Sequence, residues 1–414
     1  MNIKRLLNTS IGWKRASACP CEHPQPASKD AKRVVTLVHG TFAKHADWIQ
    51  EGQILTKALC ANDDDTVLDR FCWSGKNRHT KRIQAGDELR EHLIELITSY
   101  KNTGVNVEHH IIAHSHGGNV ALYALRDRGD ENDALLADVK LITLATPFLF
   151  MRERPLSKLL FLILPLSCWV SYLDLTVQPV SQAPLLPTLI FMWSFIGLVA
   201  FPLSLLLYWV GRSSPPLALW DLISGNATRA EAQLITPPHI DPARLYIIRG
   251  IGDEASVSLG AAQLINWIMT RLIDAYRNYG RFVMIAFAAL IVISIAAESY
   301  APWEAILNSI GDLVAGGFVA ILLIPLAILP LIAGFVAMSN FPFGTDTLFW
   351  SYFAQTTAEP SAPGASHSLV VGTRHFHYHK LSHGVYEDVE AIRAIIARIK
   401  PRIELVSNQL NRSE

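Results

Sequence analysis

Hydrophobic positions along the chain fall into three patterns, and each predicts a different kind of element. Short apolar runs rich in β-branched residues, "RVVTLVHG" (33–40), "RFCWSG" (70–75), "VEHHIIAHS" (107–115), "VKLITLATP" (139–147) and "RLYIIRG" (244–250), have the length and composition of buried strands. Stretches of helical periodicity separate most of them. In "AGDELREHLIELITSY" the residues Leu89, Leu93, Leu96 and Ile97 share one face, and in the C-terminal "VEAIRAIIARI" the pattern predicts Val389, Ile392, Ile396 and Ile399 facing inward. Strand and helix in alternation predict an α/β fold with a mostly parallel sheet covered by helices.

The third pattern is unbroken apolar sequence. Between Lys158 and Arg212 the only charged residue is Asp174, which separates "LLFLILPLSCWVSYL" from "LLPTLIFMWSFIGLVAFPLSLLLYWVG". Between Arg281 and Glu298 stands "FVMIAFAALIVISIAA", and between Asp312 and Asn340 "LVAGGFVAILLIPLAILPLIAGFVAMS". A spanning helix needs about 20 apolar residues, so the chain is expected to carry two transmembrane hairpins, each a short run followed by a long one. Buried or interfacial helices, such as an apolar lid, are the alternative, but the longer runs are apolar all round and lack the polar face of a surface helix. The loops 174–184 and 298–312 hold no Lys or Arg, whereas Arg152, Arg154, Lys158, Arg212, Arg271, Arg277 and Arg281 flank the other ends. The positive-inside rule then puts the polar parts in the cytoplasm, and the chain is expected to be an integral membrane protein.

These runs divide the chain into a basic leader (1–32) that is expected to be disordered, polar segments 33–157, 212–281 and 340–414, and hairpins 158–211 and 282–339. An even number of spans leaves the three polar segments on one side, where they can build a single domain. Composition agrees with lipid contact: 50% of the 414 residues are hydrophobic and only 17% charged. Basic and acidic residues balance at 36 each, which argues against a nucleic-acid partner. The five cysteines, Cys19, Cys21, Cys60, Cys72 and Cys168, are odd in number and lack the spacing of a disulfide framework. Cys19, Cys21 and His23 look like half a metal site without its second half, and His375, His377 and His379 share a strand face with no acid or thiol close by, so no metal or cofactor is expected.

Candidate chemistry centres on "EHHIIAHSHGGNVALYAL". Ser115 falls between a predicted strand and a predicted helix, in Ala113-His114-Ser115-His116-Gly117, which departs from G-x-S-x-G only in Ala113. Such a turn exposes the hydroxyl at a helix N-terminus, where negative charge is favoured. A serine nucleophile also needs a base, an orienting carboxylate and oxyanion donors. His39-Gly40-Thr41-Phe42 ends the first strand, so the N–H of Thr41 is one candidate donor and that of His116 the other. Asp253 lies just past the fifth strand in "RGIGDEAS" and is the candidate acid, with Glu254 its competitor. His383, on a loop before the last helix, is the candidate base. The order Ser115, Asp253, His383 runs nucleophile, acid, base. Each turn read alone could be a plain strand-ending turn or helix cap.

With these residues assembled, the chain resembles the α/β-hydrolase fold superfamily and, within it, bacterial lipase-like serine esterases. "LVHGTFAKHADW", "FCWSGKN", "IIAHSHGGNVAL", "ITLATPF" and "IIRGIGDEAS" look like its oxyanion strand, the following strand, the nucleophile elbow, the strand after the elbow and the acid loop. The resemblance covers residues 33–157, 243–280 and 367–400 and leaves out the four apolar runs that interrupt it. It implies a Ser/Asp/His hydrolase of esters or thioesters. The expected function is therefore a membrane-anchored serine hydrolase whose partners are a hydrophobic acyl ester and the lipid bilayer. The alternative is a catalytically silent membrane scaffold or binding protein that keeps the hydrolase shell.

Overall fold

The computed structural model describes residues 31–44, 46–61, 65–153, 226–251, 259–268, 270–271, 340–351, 353–362, 368–372 and 384–400. The chain divides into two compact units. One comprises Met1–Phe150, Leu234–Gly260 and Ala358–Glu414, the other Met151–Gln233 and Ala261–Thr357. In chain order the elements are β1 (Arg33–Val38), α1 (Ile54–Cys60), β2 (Thr66–Phe71), α2 (His79–Asn102), β3 (Glu108–His114), α3 (Gly117–Ala124), α4 (Asp133–Leu136), β4 (Lys140–Leu144), β5 (Phe148–Glu153), α5 (Asn226–Ile235), β6 (Leu245–Ile251), α6 (Thr347–Trp350), β7 (Ala354–Glu359), β8 (Ser368–Gly372) and α7 (Val389–Ile399).

Six of the strands form one sheet in the order β2-β1-β3-β4-β6-β8, and every neighbouring pair is parallel. A parallel sheet must be covered on both faces, and the period of two along each strand sorts the side chains accordingly. Val38, Ile111, Ala113, Leu141, Leu245 and Ile247 join the core with Leu89 and Leu93 of α2 and Val120 of α3. Val35, Leu37, Ile112, Ile142, Leu144 and Ile248 join the opposite core with Leu55 and Leu59 of α1 and Ile392, Ile395 and Ile399 of α7. Full burial of each such side chain contributes about 1.5–3 kcal/mol, which makes the sheet a stiff base for whatever its strand ends carry.

The face predicted for α2 is buried as expected, at Leu89, Leu93, Leu96 and Ile97, although the helix begins and ends beyond the predicted stretch. Two local expectations are corrected. The second strand is Thr66–Phe71 rather than 70–75: it pairs in register with β1 from Arg33↔Thr66 to Val38↔Phe71 and stops where β1 stops. Trp73 then turns its N–H groups onto His39 instead of onto a strand. In α7, Val389 is 60% exposed and Ile396 only partly buried, while Ala391, Ile392, Ile395 and Ile399 make the inner face. The helix starts at Val389, capped by the Asp388 carboxylate, and its first residue falls outside the buried stripe.

Among the described residues no helix is long and apolar enough to cross a membrane. Both predicted hairpins, 158–211 and 282–339, lie outside the described residues, as do residues 1–30 of the leader. Cys60 is an exposed free thiol.

Candidate active site

Among the described residues three non-glycine residues have positive φ: Phe42 at 60°, Ser115 at 53° and Ala145 at 49°. They follow β1, β3 and β4, three adjacent strands of the sheet, on the side where the parallel strands end. A left-handed conformation costs a residue bearing a Cβ on the order of 1–3 kcal/mol, and such positions gather at functional sites. At Ser115 the surroundings hold the conformation in place. Its N–H donates to Leu144 O at 2.8 Å, and its carbonyl accepts from Gly118 N–H and from the Thr146 hydroxyl, each at 3.0 Å. Both backbone groups of the turn are thus satisfied, and the partly exposed side chain stands between the end of β3 and the N-terminus of α3.

Two glycines let this turn close. A Cβ on Gly117 would lie 2.5 Å from His39 O and 2.9 Å from Val38 O, so α3 can start against the end of β1 only with a bare Cα there. A Cβ on Gly40 would lie 2.8 Å from Ser115 Cβ and 3.4 Å from Ser115 Oγ. The Gly40 turn and the serine hydroxyl are therefore packed directly together.

His39 sets the orientation of that turn. The ring is fully buried and lies 5.6 Å from the Trp73 ring at an interplanar angle of 10°. Its Nε2 accepts from the Trp73 backbone N–H at 3.1 Å, so Nδ1 must carry the proton, and Nδ1–H donates to Gly40 O at 2.8 Å. The Trp73 indole N–H donates to His39 O at 2.8 Å and ties the same residue from the other side. In a planar trans peptide the N–H points opposite to the carbonyl, so fixing Gly40 O fixes the direction of Thr41 N–H. Phe42 N–H is held by Gly75 O at 2.8 Å, and its side chain is left 69% exposed. The Thr41 hydroxyl is buried with no hydrogen-bond partner among the described residues.

The second candidate donor belongs to His116, the N-cap residue of α3, with φ −61° and ψ −12°. Its ring is buried, with Nδ1 3.4 Å from Asn119 Nδ2; the same Asn119 amide donates to Pro147 O at 2.8 Å. The sequence thus brings Ser115, the Thr41 turn and His116 together. Asp253, Glu254 and His383 lie outside the described residues. What is described of their neighbourhoods is β6, which ends at Ile251, and the turn Val385–Glu387. In that turn the Tyr386 ring meets the His114 ring edge-on at 5.0 Å and stacks on Trp48 at 5.4 Å, and His114 directly precedes Ser115. Burial, with the nearby Glu387 and Asp47 carboxylates, pushes the Tyr386 phenol above its ordinary pKa, so it stays neutral in this cluster.

Sequence reasoning did not find the His39–Trp73 clamp, the Thr146 hydroxyl on Ser115 O, or the Trp48–Tyr386–His114 cluster. The residues were visible in the quoted motifs, but their pairings join positions distant along the chain. His110, farther back on β3, is a packed residue: burial and Lys140 lower its pKa to about 4, against the opposing pull of Glu108.

Residues 28–175, under half of the chain, match the family described as "Putative serine esterase (DUF676)". The match contains β1 to β4, the Gly40 turn and Ser115, and ends before Asp253 and His383. No curated protein matches the chain.

Proposed function

We propose that the protein is a serine hydrolase of carboxylic esters or thioesters with Ser115 as nucleophile. The observation that carries this reading is the left-handed Ser115 turn seated against Gly40, with the His39-oriented Thr41 peptide beside it. Ser115 Oγ attacks the acyl carbonyl while His383 takes its proton, and the Thr41 and His116 N–H groups receive the developing oxyanion. Collapse expels the alcohol or thiol, protonated by His383, and leaves an acyl-serine ester. Water, deprotonated by His383, then releases the acid. Asp253 orients the imidazole.

Two features of the described chain support these partners. His383 lies three residues before Tyr386, a reach of about 10 Å at most, and Tyr386 packs on the residue adjoining Ser115. Asp253 follows the end of β6, which pairs with the strand whose last carbonyl receives the Ser115 N–H. Lipid-like acyl chains are the favoured substrate class. The apolar Phe42 side chain is exposed beside the candidate oxyanion turn, and the runs 158–211 and 282–339 would hold the enzyme at a bilayer, where such esters are concentrated.

The test is turnover of a panel of short- and long-chain acyl esters in detergent. Wild type should hydrolyse them, and Ser115→Ala should lose about 10⁵–10⁶ in kcat, the scale of removing a serine nucleophile. Normal turnover by the variant would end the reading.

A further inference from the structure

The helix at residues 259–268, which resumes at Thr270 and Arg271, buries Leu259, Ala262 and Asn266 and leaves its three largest apolar side chains, Leu264, Trp267 and Ile268, exposed. Asn266 is fully buried and exchanges amide hydrogen bonds with the equally buried Asn340, at 3.4 and 3.3 Å. Thr270 Oγ1 donates to Asn266 O at 2.8 Å and lies 3.2 Å from Gln355 Oε1. On the other side Leu264 is 57% exposed, Trp267 54% and Ile268 39%, with Ala261 and Arg271 exposed in line with them. Spacings of three and four residues put all five on one face. Phe341, next to Asn340, is 52% exposed as well.

In water this arrangement is the wrong way round, because a surface helix normally buries its Leu, Trp and Ile and presents its Asn and Thr. It is the right way round against an apolar medium. We propose that this face is a lipid contact, lying at the boundary between headgroups and acyl chains. Leu264 and Ile268 enter the apolar layer, and Trp267 sits at the interface, where indole is favoured. Arg271, its guanidinium 5.6 Å from the Trp267 ring centroid, reaches back toward anionic headgroups. Charge supports lipid over a protein partner: Leu259–Arg271 contains no Asp or Glu, and up to the apolar run 282–297 the cations Arg271, Arg277 and Arg281 face the single acid Asp274. The proposal rests on the reading that the enzyme works at a bilayer.

The experiment uses the full-length chain in vesicles of phosphatidylcholine and phosphatidylglycerol that carry a phospholipid with a diazirine in its acyl chain. After illumination, peptide mass spectrometry should find lipid adducts on Leu264, Trp267 or Ile268. The double variant Leu264→Gln/Trp267→Gln should lose these adducts. It should also hydrolyse vesicle-held long-chain esters about tenfold more slowly, since losing apolar contact equal to one or two side chains weakens engagement by at least that factor. Its turnover of a water-soluble short-chain ester should be unchanged. Vesicle-bound protein with adducts elsewhere and none on this face would overturn the proposal. So would protection of Trp267 from hydroxyl radicals without lipid adducts, which would assign the face to a protein. A chain that fails to float with the vesicles would overturn both the lipid contact and the anchorage, while Ser115-dependent hydrolysis in detergent would still stand.

Discussion

The sheet around Ser115 and the helix at residues 259–268 differ in which side chains they leave exposed. Along β1, Val34, Val35, Leu37 and Val38 are fully buried; along the helix, Asn266 is fully buried while Leu264, Trp267 and Ile268 are exposed. The sheet obeys the ordinary demand that apolar surface leave water. The helix pairs the Asn266 amide with that of Asn340 and leaves Leu264, Trp267 and Ile268 exposed, which is unfavourable where such a face meets water. Departure from the rule has a different meaning in each region. At the strand ends it is a backbone departure, three left-handed residues around a hydroxyl. On the helix it is a departure in polarity, the observation behind the proposed lipid contact.

After loss of Ser115 itself, the largest expected effect would break the catalytic side of this contrast. Asp253→Asn should lower the acylation rate by about 10⁴, the scale for neutralising an orienting carboxylate, with folding preserved because the two side chains have similar volume. Glu254→Gln should cost far less, about 0.3–1 kcal/mol at most if it only faces a helix start. Pre-steady-state acylation kinetics reads both, and the opposite order would make Glu254 the acid.

Next in size is an acid dependence that belongs to the sheet. His110 is buried and neutral with a pKa of about 4 against an ordinary 6.5, so the unfolded chain takes up the proton first. Stability is therefore complete above about pH 6.5 and falls as the pH drops toward 4, by up to about 3 kcal/mol from this residue. Thermal midpoints between pH 7 and 4 should show a shallower acid limb for His110→Leu. An unchanged limb would mean that other groups carry it.

Two glycine substitutions sharpen the comparison with smaller effects. Gly117→Ala places a Cβ against backbone atoms of the β1 end and should destabilise by about 1–3 kcal/mol while slowing turnover. Gly260→Ala, on the exposed face with nothing within 4 Å of its Cβ, should stabilise by about 0.5–1 kcal/mol through helix propensity alone. Denaturant midpoints in detergent measure both. Equal responses would mean that the two sites are not packed as described.

Legibility in the sequence tracked how local each signal was. The strands at 33–38, 108–114, 140–144 and 245–251 announced themselves by apolar runs, and the Ser115 turn by its small residues between a strand and a helix. The His39–Trp73 clamp did not, because it joins residues on separate elements and neither residue type has a period to betray it. The buried face of α7 was off at Val389 because an apolar residue in the first turn scores as core whether or not it is covered. The 259–268 helix is the most instructive case. Periodicity reveals that a helix has two faces, but not which of them is outward; that took the Asn266–Asn340 pair.

The most direct test of the central claim is the site of covalent capture by a fluorophosphonate probe. Peptide mass spectrometry of the labelled wild-type protein should find a single phosphonylated residue, Ser115, and labelling should disappear in Ser115→Ala. An adduct on any other residue, or esterase turnover that persists while Ser115 remains unlabelled, would contradict the account.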